Sequence, residues 1–202
     1  MTNAGRTYGG LSPQQRSNDR RERLRNAARA LIADSGVAPI TVDMVCQQAN
    51  LSKRYFYTEF ATKDDLLDAC AEDLFGRLWA GIEQVLTTTP RVDRINGALR
   101  SVVHTLASDP ADARLYMECP GFARLRHRQQ QAVREFSEQM NAHAFPFAGR
   151  PKKSIDRALA TRALVAGTTD VIIDWLHGDI DTDEDSLIAT LTATALGAAA
   201  AI

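Results

Sequence analysis

An all-α fold, a small N-terminal three-helix head on a larger helical body with about nine helices in all, is predicted by three features of this 202-residue sequence. Apolar residues recur at helical spacing from about residue 20 to the end, with no sustained apolar/polar alternation of the kind a half-buried strand needs. Proline and glycine interrupt that periodicity where helices of ordinary length would stop. Charge is split unevenly: ten Lys+Arg and five Asp+Glu up to Lys63, then fourteen and twenty beyond it. The formal net charge of −1 is thus a cancellation between a basic head and an acidic body. A basic head is the footprint of an anion-binding surface.

Composition narrows the class further. A chain that is 45% apolar and 24% charged is too apolar for disorder and long enough to bury one sizeable core. No apolar run reaches the roughly 18 residues of a membrane span, and the polar start Met1 to Arg6 is not a secretory signal. The reading is a soluble, cytoplasmic protein with no membrane partner. Cys46, Cys70 and Cys119 are odd in number and share no CxxC spacing, so buried thiols are expected rather than a disulfide framework or a zinc knuckle.

The elements follow in order. Leu24, Ala27, Ala28, Leu31 and Ile32 form one stripe of a first helix that stops at Gly36. Two starts compete: Ser12-Pro13 with Gln15 resembles a capping box, and Asp19 with Glu22 offers a later one. Residues 1–18 are assigned to a flexible N-terminal arm. Thr41 caps a short second helix carrying Val45, Cys46 and Ala49, which ends where Asn50 can take the left-handed conformation. Ser52 caps a third short helix running to about Phe60. Two short capped helices joined by a tight turn read as a helix-turn-helix, and residues 19–63 are taken as that unit.

Thr62 with Asp65 opens a long fourth helix whose stripe runs from Leu67 to Val85, about 36 Å of rod at 1.5 Å per residue. Further helices are expected over residues 92–107, 111–118 and 122–143, with Pro110, Pro120, Pro146 and Pro151 as punctuation. Ser154 starts an eighth helix ending at Gly178, and Asp183 caps a ninth. Residues 64–202 are the body.

From Thr41 the order is Thr41, Val45, Ala49, Asn50, Leu51, Ser52, Phe56, Tyr57, Phe60 and Lys63. This resembles the DNA-binding head of the tetracycline-repressor (TetR) family, T-x-x-x-I-A-x-x-A-G-V-S-x-G-x-L-Y-x-H-F-x-x-K. Cys46 stands for Ala, Asn50 for Gly, Arg54 for Gly and Glu59 for His. The last two are expected to alter the DNA-facing surface. The residues agree with the resemblance, since a recognition helix offers donors to base edges and phosphates from its first turns, where Ser52, Lys53, Arg54, Tyr55 and Tyr57 lie. Thr41, at a helix start, can present its hydroxyl and backbone N–H groups to a phosphate. The resemblance implies that Tyr57 and Lys63 hold the DNA backbone. Arg6 and Arg16 extend the contacts through the arm.

The resemblance also implies a homodimer on a palindromic DNA operator, a small-molecule effector, and repression released by that effector. The last two helices mix leucines with small residues that permit close approach: Ala158, Leu159, Ala163, Ala166, Gly167 and Thr169, then Leu187, Leu191, Thr194, Ala195 and Ala198. Candidate ligand-lining residues between the fourth and eighth helices are Trp79, Val102, Val103, His104, Leu106, Tyr116, Met117, Phe122, Phe136, Met140 and Trp175, with His104, Tyr116 and Asn141 as polar handles. No cofactor and no metal are expected.

The rival from another class is a helical metalloenzyme. Asp170, Asp174 and His177 lie at i, i+4 and i+7 on one helix face. The sequence has no HExxH and no paired Glu-x-x-His, and His177 near a helix C-terminus is accounted for by the dipole and by Asp174. No GxSxG or placed Cys-His pair suggests catalysis. A helical interaction module that binds no DNA is the third reading, in which the basic head is solvated decoration.

Overall fold

The computed structural model describes residues 12–143 and 154–201, and among these every regular element is helical. The first helix, α1 (Pro13–Ser35), starts at the earlier of the two expected sites. Gln15 N–H donates to Ser12 Oγ at 3.1 Å while Ser12 N–H donates to Gln15 Oε1 at 2.7 Å, a complete capping box with Pro13 behind it. Residues 13–18, counted above in the arm, are therefore helix, because two satisfied donors outweigh the polar composition. Residues 1–11, Arg6 among them, lie outside the described residues, as do Pro146 and Pro151.

Gly36 ends α1 at φ 84°, ψ −179°. α2 (Val42–Ala49) is capped by Thr41, whose Oγ1 accepts from Met44 N–H at 3.3 Å. Asn50 sits at φ 51°, ψ 49°, the left-handed conformation the turn requires. α3 (Lys53–Glu59) follows, with Ser52 at its N-cap position but making no side-chain capping bond. The head closes on Leu24, Ala28, Ile32, Val45 and Phe56, all buried, with Phe60 tilted against Phe56 at 6.0 Å between ring centroids.

α4 (Lys63–Thr88) begins with the expected Thr62–Asp65 capping box and runs 26 residues. α5 (Arg94–Ala107), α6 (Pro110–Glu118), α7 (Ala123–His143), α8 (Ser154–His177) and α9 (Glu184–Ala201) complete the body. Asp109 caps α6 and Asp183 caps α9. One buried cluster runs continuously from Leu24 and Phe56 through Leu66, Leu74 and Leu78 of α4 to Leu115, Ile172 and Ile188. A second, around Ile82, Ile95, Met140 and Ala195, fills the far end. Head and body thus share apolar packing, and α4 contributes to both clusters. Cys46, Cys70 and Cys119 are all buried and free, and burial pushes the thiols of Cys70 and Cys119 up to about 12.

Candidate nucleic-acid interface and ligand cavity

α3 is built so that one side anchors it and the rest is presented to solvent. Phe56 is fully buried and Phe60 nearly so, while Ser52, Lys53, Arg54, Tyr55 and Tyr57 are exposed. Tyr57 stands edge-on to Phe56 at 5.3 Å and is still 55% exposed. Thr41 is exposed at the start of α2, and Lys63 is half-buried at the start of α4. Six of the seven nominated residues are thus exposed on or beside α2 and α3, Lys63 being the exception. They are not equally available: Lys53 Nζ lies 2.6 Å from Asp43 Oδ1 on α2, and the hydrogen bond to that carboxylate raises the ammonium above its ordinary pKa. Arg54 makes no ion pair among the described residues.

Glu59 is a correction. It does not alter the exposed face of α3, because its side chain is only 5% exposed and points at α1. Ser17 Oγ donates to its Oε2 at 2.6 Å, and Arg20 Nε donates to its Oε1 at 2.8 Å. The carboxylate is consumed inside the head.

The body holds a cavity of about 80 Å³. Leu78, Ile82, Leu99, Val102, Phe136 and Met140 form apolar walls, and Tyr116, Thr168 and Thr169 supply hydroxyls. The Tyr116 side chain is buried and hydrogen-bonded to Thr169, and burial pushes its phenol up to about 12. Thr169 Oγ1 donates to Val165 O at 2.9 Å. Phe136 also walls a surface groove of about 380 Å³ between α4 and α7, where Trp79 stacks on it at 5.8 Å.

Residues 24–70 match the bacterial regulatory proteins of the tetR family. Over those residues the chain resembles the DNA-binding head of that family. It is 25% identical over 176 residues to the HTH-type transcriptional activator FasR of Mycolicibacterium smegmatis, covering 85% of this chain and 78% of that protein. Its fold is similar to that of the fatty acid degradation regulator FadR from Bacillus halodurans, with TM-score 0.74, 18% identity and 93% and 97% of the two chains covered. It is also similar to the multidrug binding protein EbrR, solved with imidazole, with TM-score 0.63, 23% identity and 86% and 93% covered.

The body residues nominated from sequence divide sharply. Tyr116, Phe136, Met140 and Val102 line the cavity. Val103 and Leu106 are buried in the main core, with Phe122 and Trp175 packed against it, and Trp175 Nε1 donates to Thr182 O at 2.9 Å. Trp79 faces the outer groove. Met117 is half-buried away from the cavity wall, and the His104 side chain is 74% exposed beside Glu184. Asn141 Oδ1 is buried with no hydrogen-bond partner among the described residues. Thr169, Leu187 and Ala195, nominated for an inter-subunit face, turn inward instead: Thr169 and Ala195 line the cavity and Leu187 is buried in the core. Sequence reasoning missed Thr168 and Thr169 as lining residues; their i, i+3 and i+4 relation to Val165 and Ile172 was the available signal.

Asp170, Asp174 and His177 are exposed on α8, and among the described residues no three His, Cys, Asp or Glu side chains are grouped as a metal site would need. No helix among the described residues is long and apolar enough to cross a membrane.

Proposed function

We propose that this chain is a ligand-responsive repressor that binds a palindromic operator as a homodimer and is released by a small, largely apolar molecule. The observation that carries the reading is the anchoring of α3 through Phe56 and Phe60 with Arg54, Tyr55 and Tyr57 left exposed. In this reading residues 19–63 are the DNA-binding unit and residues 64–202 sense and dimerise. Arg54 reads base edges; Thr41, Ser52, Lys53, Tyr57 and Lys63 hold phosphates. Repression is the sign the family resemblance implies, and the FasR relative carries the name of an activator, so a reporter gene placed behind the operator decides it.

Dimerisation is supported by the outer faces of α8 and α9. Leu159, Ala163, Ala166 and Gly167 on one, and Thr190, Ala193, Thr194 and Gly197 on the other, are exposed at helical spacing. Two such pairs, related by a two-fold axis, make a close-packed four-helix contact that sets two heads about 34 Å apart or a multiple of it.

Sensing is supported by where the cavity sits. At about 80 Å³ it is well below the roughly 300 Å³ of an ordinary ligand site, so a ligand must displace its walls. Tyr116 is one such wall, and its helix α6 is fastened to the head through Asp109 and Asp112, which hold Arg29 of α1, and through Glu118, which holds the Val37 amide just beyond α1. Moving α6 moves the α1 contact. A ligand switches the operator state only by its preference for the displaced form, about 5.5 kcal/mol for a full swing.

The test is selection of bound duplexes from a random-sequence pool. A pseudo-palindrome with half-sites one helical turn or more apart is expected; recovery of an unrepeated site, or of no enriched sequence, overturns the reading.

A further inference from the structure

Glu59 poses a problem that its surroundings resolve. A carboxylate at the end of a helix that meets phosphates would repel them if it were exposed. Here it accepts from Ser17 and Arg20, one turn apart on the same face of α1, with Arg20 Nη2 also 2.6 Å from Oε1. The Arg20 guanidinium in turn lies 5.2 Å from the centre of the Tyr55 ring. Tyr55 precedes Glu59 by four residues, so both occupy the α1-facing edge of α3. Yet Tyr55 is 48% exposed. Arg21 repeats the arrangement one residue on, donating to Glu59 O at 2.9 Å and lying 4.3 Å over the Phe60 ring.

The geometry points to Glu59 as a positioning residue for operator recognition: by fixing Arg20 it holds the Tyr55 ring in one orientation on the recognition face. The inference rests on the reading of α3 as the recognition helix. Charge neutrality at the carboxylate is supplied within the head, and Arg20 is spent on Glu59 and Tyr55 rather than on phosphate. A planar guanidinium held by two nitrogens is a rigid shelf; a free one would let the ring rotate. Removing the carboxylate therefore costs discrimination between sequences, and it releases a cation that favours any DNA.

The experiment measures binding of the full chain, at one salt concentration, to a duplex selected from a random pool by the wild-type protein and to a scrambled duplex. Glu59→Ala is expected to weaken the selected duplex by about tenfold while leaving the scrambled one unchanged or tighter. In a Tyr55→Ala background the same change is expected to cause no further loss on the selected duplex, because the ring it positions is gone. Glu59→Gln, which keeps an acceptor for Ser17, should fall between wild type and Glu59→Ala with its melting temperature preserved, and it carries the test if Glu59→Ala does not fold. Equal losses on both duplexes, or an undiminished loss in the Tyr55→Ala background, would make Glu59 a structural brace and overturn the inference. Tighter binding to both duplexes would make it a plain repeller and overturn it too. If Arg54→Ala leaves the selected duplex unaffected, the recognition-helix reading itself fails, which is a separate outcome.

Discussion

Arg29 on α1 and Asp112 on α6 form an ion pair across the junction of head and body, with the Asp112 side chain only 3% exposed. Asp109 takes the other nitrogen of Arg29 at 2.7 Å, and Arg77 of α4 donates to both oxygens of Asp112 at 2.6 Å. Burial alone would lower the Arg29 pKa, but the hydrogen bond and charge of Asp112 reverse that and hold it above its ordinary value. Replacing Asp112 by Asn leaves two guanidinium groups without their shared anion. A loss of about 2–4 kcal/mol is expected, at or below the usual cost of breaking a buried pair because both arginines retain some solvent. Urea unfolding should show a lower midpoint with an unchanged slope.

Gly36 is the second fastening of α1 to α6. Its φ of 84° with ψ near 180° is a conformation open almost only to glycine, and a Cβ placed there would meet Glu118 Oε1 at 2.5 Å. That carboxylate is engaged, since Glu118 Oε2 accepts from Val37 N–H at 2.8 Å. Gly36→Ala is expected to cost about 1–3 kcal/mol by the backbone term alone and to displace Glu118 as well. Thermal melting checks the first effect, and faster exchange of the Val37 amide checks the second.

What the sequence made legible was local. The capping boxes at Ser12–Gln15 and Thr62–Asp65, the left-handed Asn50 and the apolar stripes of α1 and α4 all depend on residues within one or two turns. Glu59 was misjudged because its partners Ser17 and Arg20 are about forty residues away and no helical spacing relates them. Of the nominated residues Tyr116, Phe136 and Met140 line the cavity, while Val103, Leu106 and Phe122 pack in the core. The physical reason is that large apolar side chains fill space, so a void opens where Ala98, Thr168 and Ala195 are short. Size and hydrophobicity point to the core; a cavity is marked by small residues facing it, and that depends on which helices meet.

Acid should loosen the α4–α7 contact. Arg128 donates to both oxygens of Asp68, and Arg124 to Asp65, and these hydrogen bonds hold both carboxyls below their ordinary value of 3.8. A carboxyl depressed in the folded state contributes stability that is complete above its unfolded pKa and is lost as pH falls through the folded one. The contribution is therefore present at neutral pH and disappears below about 3.8. Arg128→Ala should narrow the difference in melting temperature between pH 7 and the acid limb, whereas a parallel shift at all pH values would show that the pair carries no pH-dependent stability.

The exposed faces of α8 and α9 predict where a dimer can be broken without harming the monomer. A Cβ at Gly167 or Gly197 would meet nothing within 4 Å in the single chain. Gly167→Trp should leave the melting of the monomer within about 0.5 kcal/mol of wild type, as exposed substitutions do, and block the close approach of a second copy. Light scattering coupled to size-exclusion chromatography should report a single-chain mass for the variant and twice that for wild type. An unchanged dimer would move the interface elsewhere.

If Lys53 binds phosphate as proposed, Asp43 competes with DNA for it. Their pair is exposed at both ends, so it contributes little to folding, yet it places a negative charge beside the nominated phosphate-binding surface and occupies one of its cations. On approach of a phosphate, Lys53 must leave Asp43, and the carboxylate is left facing the DNA. Asp43→Asn removes both effects. It should tighten binding to selected and scrambled duplexes alike and steepen the fall of log K with log salt by roughly 0.9, the increment for one further phosphate neutralised. Arg54→Ala should act differently, lowering affinity for the selected duplex by about 1–3 kcal/mol and relaxing the preference at one base position. Fluorescence anisotropy titrations across a salt series separate the two, because the slope counts phosphates and the selected-to-scrambled ratio reports base readout. If Asp43→Asn leaves the slope unchanged, Lys53 stays clear of the phosphates and its pairing with Asp43 is only a surface contact between α2 and α3.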